Sequence, residues 1–275
     1  MPLPQAAREF YQARNRLTVI TRAEVRLAWR RMGADFDASW RLVRPHLLAL
    51  VTQAQVAAAD MGTQYIADVL EETGQDAEPV APVRPEAFGG VASDGRTLDG
   101  LLVGGVTTAK QAVEAGESHA GALAKGQRFL DMAAWTQIAD AGRGGSSVAM
   151  MSRPKVTGWT RAVNPPCCSR CAILAGRWYR TNAGFPRHPR CDCFHVPVAE
   201  AMAGELMTDP QELLEQGKVS DLTKAQRQAL DDGADFGRVV NARRNMDATQ
   251  VEDVYRRAKT RDEAIAGLKR HGFLR

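Results

Sequence analysis

Apolar side chains recur at helical spacing over most of the first 74 residues. From Thr21 onward the intervals are three and four residues, and they place Trp29, Phe36 and Trp40 on one helical face. We expect this aromatic series to lie in the core rather than in a partner groove. The segment TRAE at Thr21 has the spacing of a capping box, which predicts a helix start there. A second amphipathic stretch ends at Gly74.

Proline and glycine mark the predicted breaks in this pattern. Pro45 should kink or restart the helix that begins at Thr21, because proline lacks the backbone N–H that an inner helical position needs. Residues 75–97 are dense in Pro and Gly, which is typical of a linker or extended arm. Residues 98–141 return to helical spacing as two helices, and the run GRGGSS at Gly142–Ser147 predicts the end of that helical region.

Three short stretches then change the pattern. Lys155–Val163, Arg177–Arg180 and Cys193–Val198 are each predicted to form a strand. Helical signals return after Glu200, where Asp-Pro and Thr-x-x-Gln steps are typical of helix starts. The sequence therefore predicts a mostly α protein of the α+β type, with a helical N-terminal half, a small β knuckle or hairpin and a helical C-terminal segment.

We expect four parts along the 275 residues. They are a helical N-terminal region (1–74), a Pro/Gly-rich linker or arm (75–97), a domain with a cysteine/histidine knuckle at 164–198 (98–246), and a basic C-terminal helix (247–275). The hydrophobic content of 44% excludes a wholly disordered chain.

The net charge of +4 is small, but its distribution is uneven. Residues 1–50 hold nine arginines and four acids, whereas residues 51–100 hold two arginines and nine acids. Such blocks suit docking to surfaces of opposite charge, nucleic acid included, and they are also usual on the solvated faces of helices.

The hydropathy pattern bears on the redox environment of the thiols. No apolar run approaches 18 residues, and residues 1–18 lack the apolar core of a secretory signal. We therefore expect no membrane span and a chain made in a reducing cytosol. Clustered cysteines there indicate metal or redox chemistry rather than disulfides.

All five cysteines lie in one window of 27 residues. A C-x-x-C step and a C-x-C step can each deliver two thiolates to one ion, and zinc takes four such ligands. A histidine three residues before the C-x-C step can reach the same ion. The spacing leaves open whether four cysteines bind zinc or His188 replaces one of the last two. The candidate ligands are Cys168, Cys171, His188, Cys191 and Cys193.

Two neighbouring residues and three other kinds of chemistry are alternatives to the zinc ligands and the structural zinc site. Cys167 is expected to be a bystander, and His195 to support a ligand indirectly. A redox C-x-x-C pair would need a thioredoxin-like βαβ context, and a cysteine nucleophile would need an orienting partner beyond Asp192. A catalytic zinc would need H-x-E or H-E-x-x-H, and neither occurs. We therefore expect a closed, structural zinc site and no enzymatic activity.

These motifs resemble those of the Mu F-like head-morphogenesis proteins of tailed bacteriophages. The matching segments are CSRC at Cys168–Cys171, LAGRWY at Leu174–Tyr179 and HPRCDC at His188–Cys193. The amino-acid sequences of these segments are most similar to the versions from phages of actinobacteria. The resemblance is tight over Gly158–Val198 and looser to Met246.

The resemblance implies a minor capsid protein located in the virion, inside the head or at the portal vertex. It implies contacts with the portal protein and the major capsid protein, and a role in head assembly, DNA packaging or ejection. It implies no reaction. The residues leave two alternatives open, a zinc-knuckle DNA-binding protein and a capsid-processing hydrolase.

Basic and aromatic side chains surround the cysteines. Arginines neutralise phosphates and exposed aromatic rings stack on bases, so packaged DNA is one possible partner. The same arginines could instead bind carboxylates of a protein. The candidate surface consists of Arg170, Arg177, Trp178, Tyr179, Arg180, Arg187 and Arg190.

Overall fold

A computed structural model of the chain describes residues 3–75, 77–198, 208–242 and 251–274. The protein is mostly helical with one small sheet, which confirms the predicted fold class. The helices are α1 (Gln5–Trp29), α2 (Phe36–Glu72), α3 (Leu98–Leu102), α4 (Gly104–Glu114), α5 (His119–Met151), α6 (Ser169–Ala172), α7 (Pro210–Glu215), α8 (Lys224–Asp231), α9 (Phe236–Asn241), α10 (Val251–Arg257) and α11 (Arg261–Arg270). The strands are β1 (Gly158–Ala162), β2 (Trp178–Arg180) and β3 (Phe194–Pro197).

The chain forms two compact units. The first comprises Met1–Trp159 with Trp178–Ala203, and the second comprises Thr160–Arg177 with Gly204–Arg275. The division of the chain into four domains and linkers, which we expect from the sequence, stays a prediction.

Helices α1, α2 and α5 pack on one another in the first unit, and α4 packs on α5. The predicted aromatic core is confirmed, because Trp29, Phe36 and Trp40 are buried in one apolar cluster. The indole Nε1 of Trp29 donates to the carbonyl oxygen of Leu123 at 3.0 Å. That hydrogen bond satisfies the one polar atom that burial of the ring takes from water.

The predicted helix start at Thr21 is wrong. Helix α1 runs through this position, and the Thr21 hydroxyl donates to the carbonyl oxygen of Leu17 at 2.9 Å instead of capping a terminus. Thr21 is buried on the same face of α1 as Val25, so packing extends across the local capping signal. Helix α2 likewise continues through Pro45, so the restart that was one of two predicted outcomes does not occur.

The predicted end of the helical region at Gly142–Ser147 is also wrong, because α5 continues past it. The glycines instead let α5 cross α2 at close range. A Cβ on Gly145 would lie 2.2 Å from the carbonyl oxygen of Ala59, and one on Gly62 would lie 2.2 Å from that of Gly142. Such distances leave no room for any side chain. The glycine run therefore encodes helix packing and not a turn.

A partly buried ion cluster joins α1 to α5. Asp131 accepts from the guanidinium of Arg22 and lies 2.6 Å from Nη2 of Arg26. Its side chain is 11% exposed. Burial raises the pKa of the Asp131 carboxyl, but the hydrogen bond and charge of Arg22 and the charge of Arg26 outweigh it, so the net pKa is lowered.

We expect Asp131→Asn to lower the free energy of unfolding by about 2 kcal/mol at neutral pH, because two guanidiniums lose their partner. A carboxyl with a lowered pKa stabilises the fold above the unfolded-state value of about 3.9 and loses that effect as pH falls through the folded-state value. Urea unfolding at pH 7 and at pH 3 should therefore show a difference that shrinks with acid. Asp94→Asn, at an exposed pair with Arg96, should change stability by less than about 0.5 kcal/mol. Equal effects of the two substitutions would contradict this account.

The three predicted strands are confirmed and form one sheet in the order β2-β1-β3. Backbone hydrogen bonds pair Thr157 with Thr181 and Arg161 with Arg177, so the register of β1 and β2 is antiparallel. Every residue of β1 and β3 is buried, whereas β2 is partly exposed. The two buried strands flank the cysteine-rich segments along the chain.

Helices α6 to α11 belong to the second unit. The two predicted helix starts are confirmed, since Asp209 accepts from the N–H of Gln211 at 2.8 Å and Thr223 forms a capping box with Gln226. Helices α8 to α11 share an apolar cluster that includes Val239.

The predicted single C-terminal helix is divided in two among the described residues. Thr260 caps the start of α11, so α10 and α11 are separate helices. The predicted C-terminal helix includes residues 247–250, which lie outside the described residues. Residues 243–246, at the end of the segment that resembles the phage family more loosely, also lie outside them. None of the described helices is both long and apolar enough to cross a membrane.

Candidate metal centre

The five predicted ligands form two overlapping groups. One comprises Cys168, Cys171 and His188, and the other comprises Cys171, Cys191 and Cys193. Within each group the ligand atoms lie within 4.8 Å of one another. Cys171, Cys191 and Cys193 are 3%, 1% and 0% exposed, and the other two are partly exposed. The structure therefore brings together every residue that the sequence nominated, with Cys171 common to both groups.

The C-x-x-C step forms a tight knuckle at the start of α6. Cys168 caps this helix, and its Sγ accepts from the N–H of Cys171 at 3.4 Å. The N–H of Ser169 donates to Oδ1 of Asp221 at 2.6 Å, which fixes the same turn. Nη2 of Arg161, a residue 1% exposed, lies 3.9 Å from Sγ of Cys171. Donors and positive charge beside sulfur favour the thiolate, which is the form that binds metals.

The H-P-R-C segment forms a turn of type II. The N–H of Cys191 donates to the carbonyl oxygen of His188 at 3.0 Å, Pro189 is at the second position, and Arg190 has a positive φ of 63° at the third. Nδ1 of His188 lies 2.8 Å from the carbonyl oxygen of Pro189. When Nδ1 carries the proton and donates to that carbonyl, Nε2 keeps a lone pair for a metal ion.

We expect Arg190→Gly to raise the free energy of unfolding by about 1 kcal/mol. A side chain in the left-handed region costs about 1–2 kcal/mol, and glycine avoids most of that strain. Urea unfolding of the reduced protein measures the change. Arg190→Ala removes the same charge but keeps a Cβ, so it should bring no gain; equal stabilities of the two variants would argue against a strained turn.

Two buried arginines bind the backbone of the C-D-C segment. Nη1 of Arg143, on α5, donates to the carbonyl oxygens of Cys191 and Cys193 at 3.0 and 2.9 Å. Nη2 of Arg14, on α1, donates to the carbonyl oxygen of Asp192. The two arginines are 3% and 2% exposed. All three carbonyls of the segment are thus held by guanidinium groups.

The side chain of Asp192 lies in the same buried environment. The hydroxyl of Tyr11 donates to Oδ2 of Asp192 at 3.1 Å. Burial raises the pKa of Asp192, and burial together with the charge of Asp192 raises the pKa of Tyr11 to about 12. Burial and the positive charge of Arg143 lower the pKa of Arg14 to about 10. At neutral pH Tyr11 is therefore a donor and Arg14 is a cation.

Reasoning from the sequence missed Arg14 and Arg143. Arg14 comes four residues after Phe10 and four before Thr18, and all three are buried on α1. The sequence pattern therefore contained a signal for a buried charge, namely a basic residue on a buried helical face. Arg143 could not be found in the same way, because it lies within the glycine run that predicted a helix end.

Cys167 and His195 lie outside both ligand groups. Cys167 forms a parallel backbone bridge with Val219. His195 is 1% exposed, packs edge-on against Trp159 with ring centroids 4.4 Å apart, and has Nε2 3.3 Å from the hydroxyl of Ser147. The expectation that His195 supports a ligand indirectly stays a prediction.

The predicted basic and aromatic surface is only partly exposed. Nε1 of Trp178 donates to the carbonyl oxygen of Val198 at 3.1 Å, and the Tyr179 ring stacks on Trp159 with centroids 4.4 Å apart. Both rings are thus engaged in contacts within the protein. Arg187 forms an ion pair with Asp140 at 2.8 Å. The exposed arginines of the set are Arg170, Arg177, Arg180, Arg187 and Arg190.

The donors present suit a soft or borderline divalent ion. Thiolate and imidazole are the ligands that zinc prefers in structural sites, and the three most buried donors are all thiols. Among the hydrogen bonds described above, arginines bind the C-D-C carbonyls and the Asp221 carboxylate binds the backbone of the CSRC turn. The cluster could therefore hold a metal ion.

Family comparison agrees with the phage origin that the motifs implied. The model of the VG15 protein family matches residues 1–217, a span that contains every candidate ligand. No curated protein and no solved structure matches the chain. Because the family model covers well over half of the sequence, the chain belongs to the VG15 protein family and is a phage protein.

Proposed function

We propose that this phage protein is a minor capsid protein of the Mu F-like head-morphogenesis type. It binds the portal protein and the inner capsid and assists head assembly, DNA packaging or ejection. The observation that carries the proposal is that the candidate ligands of the CSRC and HPRCDC motifs form two groups that share Cys171. Membership of a phage family supports the same role.

We also propose that the cluster binds one zinc ion with a structural role. The ion would take its ligands from the two groups that share Cys171. A closed set of thiolates leaves no position for a substrate, so the protein is proposed to be non-enzymatic. Support comes from the burial of Cys171, Cys191 and Cys193 and from the positive groups beside them.

Co-expression with the portal protein of the same phage tests the proposal. The tagged chain should retain the portal protein on an affinity column, and an inventory of virion proteins should contain the chain. The matched variant Arg177→Glu with Arg180→Glu reverses two exposed charges and should weaken retention if this surface meets the portal. Absence from virions together with no retention of the portal would contradict the proposed role.

DNA binding is the second candidate, favoured by the exposed arginines around the cysteines. If they contact phosphates, binding to duplex DNA should weaken steeply with salt, and Arg177→Ala with Arg180→Ala should reduce the salt slope by about 2. The internal packing of Trp178 and Tyr179 disfavours base stacking. No binding to duplex DNA at low salt would remove this candidate.

A further inference from the structure

Arg14 and Arg143 place two positive charges in the interior beside the C-D-C segment. Arginine is almost never fully buried unless it is paired, because removing a charge from water is costly. Arg143 has one carboxylate partner, Asp140, which it shares with the partly exposed Arg187. The positive charges of Arg14 and Arg143 also disfavour each other.

The charge of Asp192 attracts Arg14, but among the described residues Arg14 forms no ion pair like that of Arg143 with Asp140. Its Nη2 donates to a neutral carbonyl, that of Asp192, and its Nη1 has no hydrogen-bond partner among the described residues. Its Cζ lies 5.4 Å from the ring centroid of Phe10 and 5.8 Å from that of Phe194. Aromatic faces attract cations but do not neutralise them.

A metal–thiolate centre would add negative charge beside these two arginines. A divalent ion bound by three thiolates and an imidazole has a net charge of −1, and one bound by four thiolates has −2. The carbonyl groups of Cys191 and Cys193 that Arg143 binds belong to two of the candidate ligands themselves. Outer hydrogen-bond partners of this kind orient metal ligands and tune their affinity.

We propose that Arg14 and Arg143 are positioning residues and counter-ions of an anionic metal–thiolate centre. Arg143 fixes the backbone on both sides of Asp192, so that both thiols are presented together, and Arg14 fixes the carbonyl between them. Their two charges balance the charge of the ligated thiolates. The assignment rests on the proposed metal centre and adds to it the residues that set its affinity.

Titration with Co²⁺ tests the assignment, using full-length reduced protein from which metal has been removed. Arg143→Met and Arg14→Met should each weaken Co²⁺ binding 10–100-fold. The thiolate-to-cobalt absorption band should keep its position, because the ligands themselves are unchanged. Arg143→Lys keeps the charge but loses the planar group whose Nη1 binds the two carbonyls while Nε and Nη2 bind Asp140, so its affinity should lie between those of the wild type and Arg143→Met.

Arg22→Met is the matched control. Arg22 is on the same helix as Arg14 and forms a partly buried ion pair with Asp131, so its loss weakens the fold without touching the C-D-C segment. Its effect on Co²⁺ affinity measures how far general destabilisation matters. If Arg143→Met does not fold, the Co²⁺ affinities of Arg143→Lys and Arg14→Gln are compared with that of Arg22→Met instead.

Two failures are distinguishable. Arginine variants that bind Co²⁺ as tightly as Arg22→Met would overturn the counter-ion role while leaving the metal centre intact. A wild-type protein that is folded and reduced yet gives no thiolate-to-cobalt band would overturn the metal centre, and the counter-ion role with it.

Discussion

Cys171→Ser is expected to abolish zinc binding and to lower the free energy of unfolding by more than about 3 kcal/mol. Cys171 is the one residue common to both groups of candidate ligands, so its loss leaves neither group complete. Structural zinc contributes on the order of 10 kcal/mol to small metal-dependent folds, and that contribution is lost with the ion. Zinc content and urea unfolding of the reduced protein, with and without a chelator, measure both effects.

Cys167→Ser is the matched control for that experiment. Cys167 is buried in the same window but belongs to neither ligand group. The Cys167→Ser variant should keep the zinc content of the wild type. Chelator should lower the free energy of unfolding of the two proteins to the same extent. Equal zinc loss in both variants would contradict the assignment of ligands.

His188→Ala tests the alternative that the spacing leaves open, in which His188 replaces Cys191 or Cys193 as a ligand, and Cys168→Ala is compared with it. These two are the partly exposed candidates, whereas the three buried thiols form a group of their own. Weaker zinc binding in His188→Ala would include His188 among the ligands, whereas unchanged binding in His188→Ala with a loss in Cys168→Ala would leave the four cysteines.

Gly145→Ala is expected to lower the free energy of unfolding by about 3 kcal/mol. On an ordinary helix the same change would stabilise by up to about 1 kcal/mol, because alanine is the better helix former. At this position the added Cβ would lie 2.2 Å from the carbonyl oxygen of Ala59 on α2. Backbone cannot yield as a flexible side chain can, so the two helices must separate and lose packing along their contact.

Gly121→Ala provides the control on the same helix. The nearest atoms to a Cβ there are side-chain oxygens of Glu117 and Ser118, both at 3.3 Å. Small rotations relieve such contacts, so the change should be neutral or slightly stabilising. Circular dichroism at 222 nm during thermal unfolding compares the two variants. Similar melting temperatures would show that α2 and α5 do not depend on the glycine contact.

The candidate ligands could be predicted from the sequence because their geometry is local. Two cysteines separated by two residues share a face in a helical turn, and two separated by one residue share a face in an extended segment. The H-P step restricts the backbone before Cys191 in the same way. Each of the five candidates belongs to at least one of the two groups that could hold a metal ion.

The glycine run could not be interpreted in this way. Whether Gly142–Ser147 ends a helix or admits a neighbouring helix depends on α2, more than 70 residues earlier in the chain. Local sequence favours a break, and the tertiary contact overrides it. The same holds for Thr21, where burial on α1 outweighs a capping signal.

Arg14 illustrates a third case, in which the signal was present but its partner was not visible. A basic residue on a buried helical stripe predicts a buried charge. Nothing in the spacing indicates that the carbonyl of Asp192, 178 residues away in sequence, accepts its hydrogen bond. Long-range polar contacts of this kind join the helices to the C-D-C segment in the first unit.

Native mass spectrometry of the freshly purified, reduced protein tests the central claim most directly, that the cysteine and histidine cluster binds a metal ion. We expect one zinc ion per chain, lost together with the folded charge-state distribution when chelator is added. A folded, metal-free chain that is insensitive to chelator and takes up no zinc would contradict it.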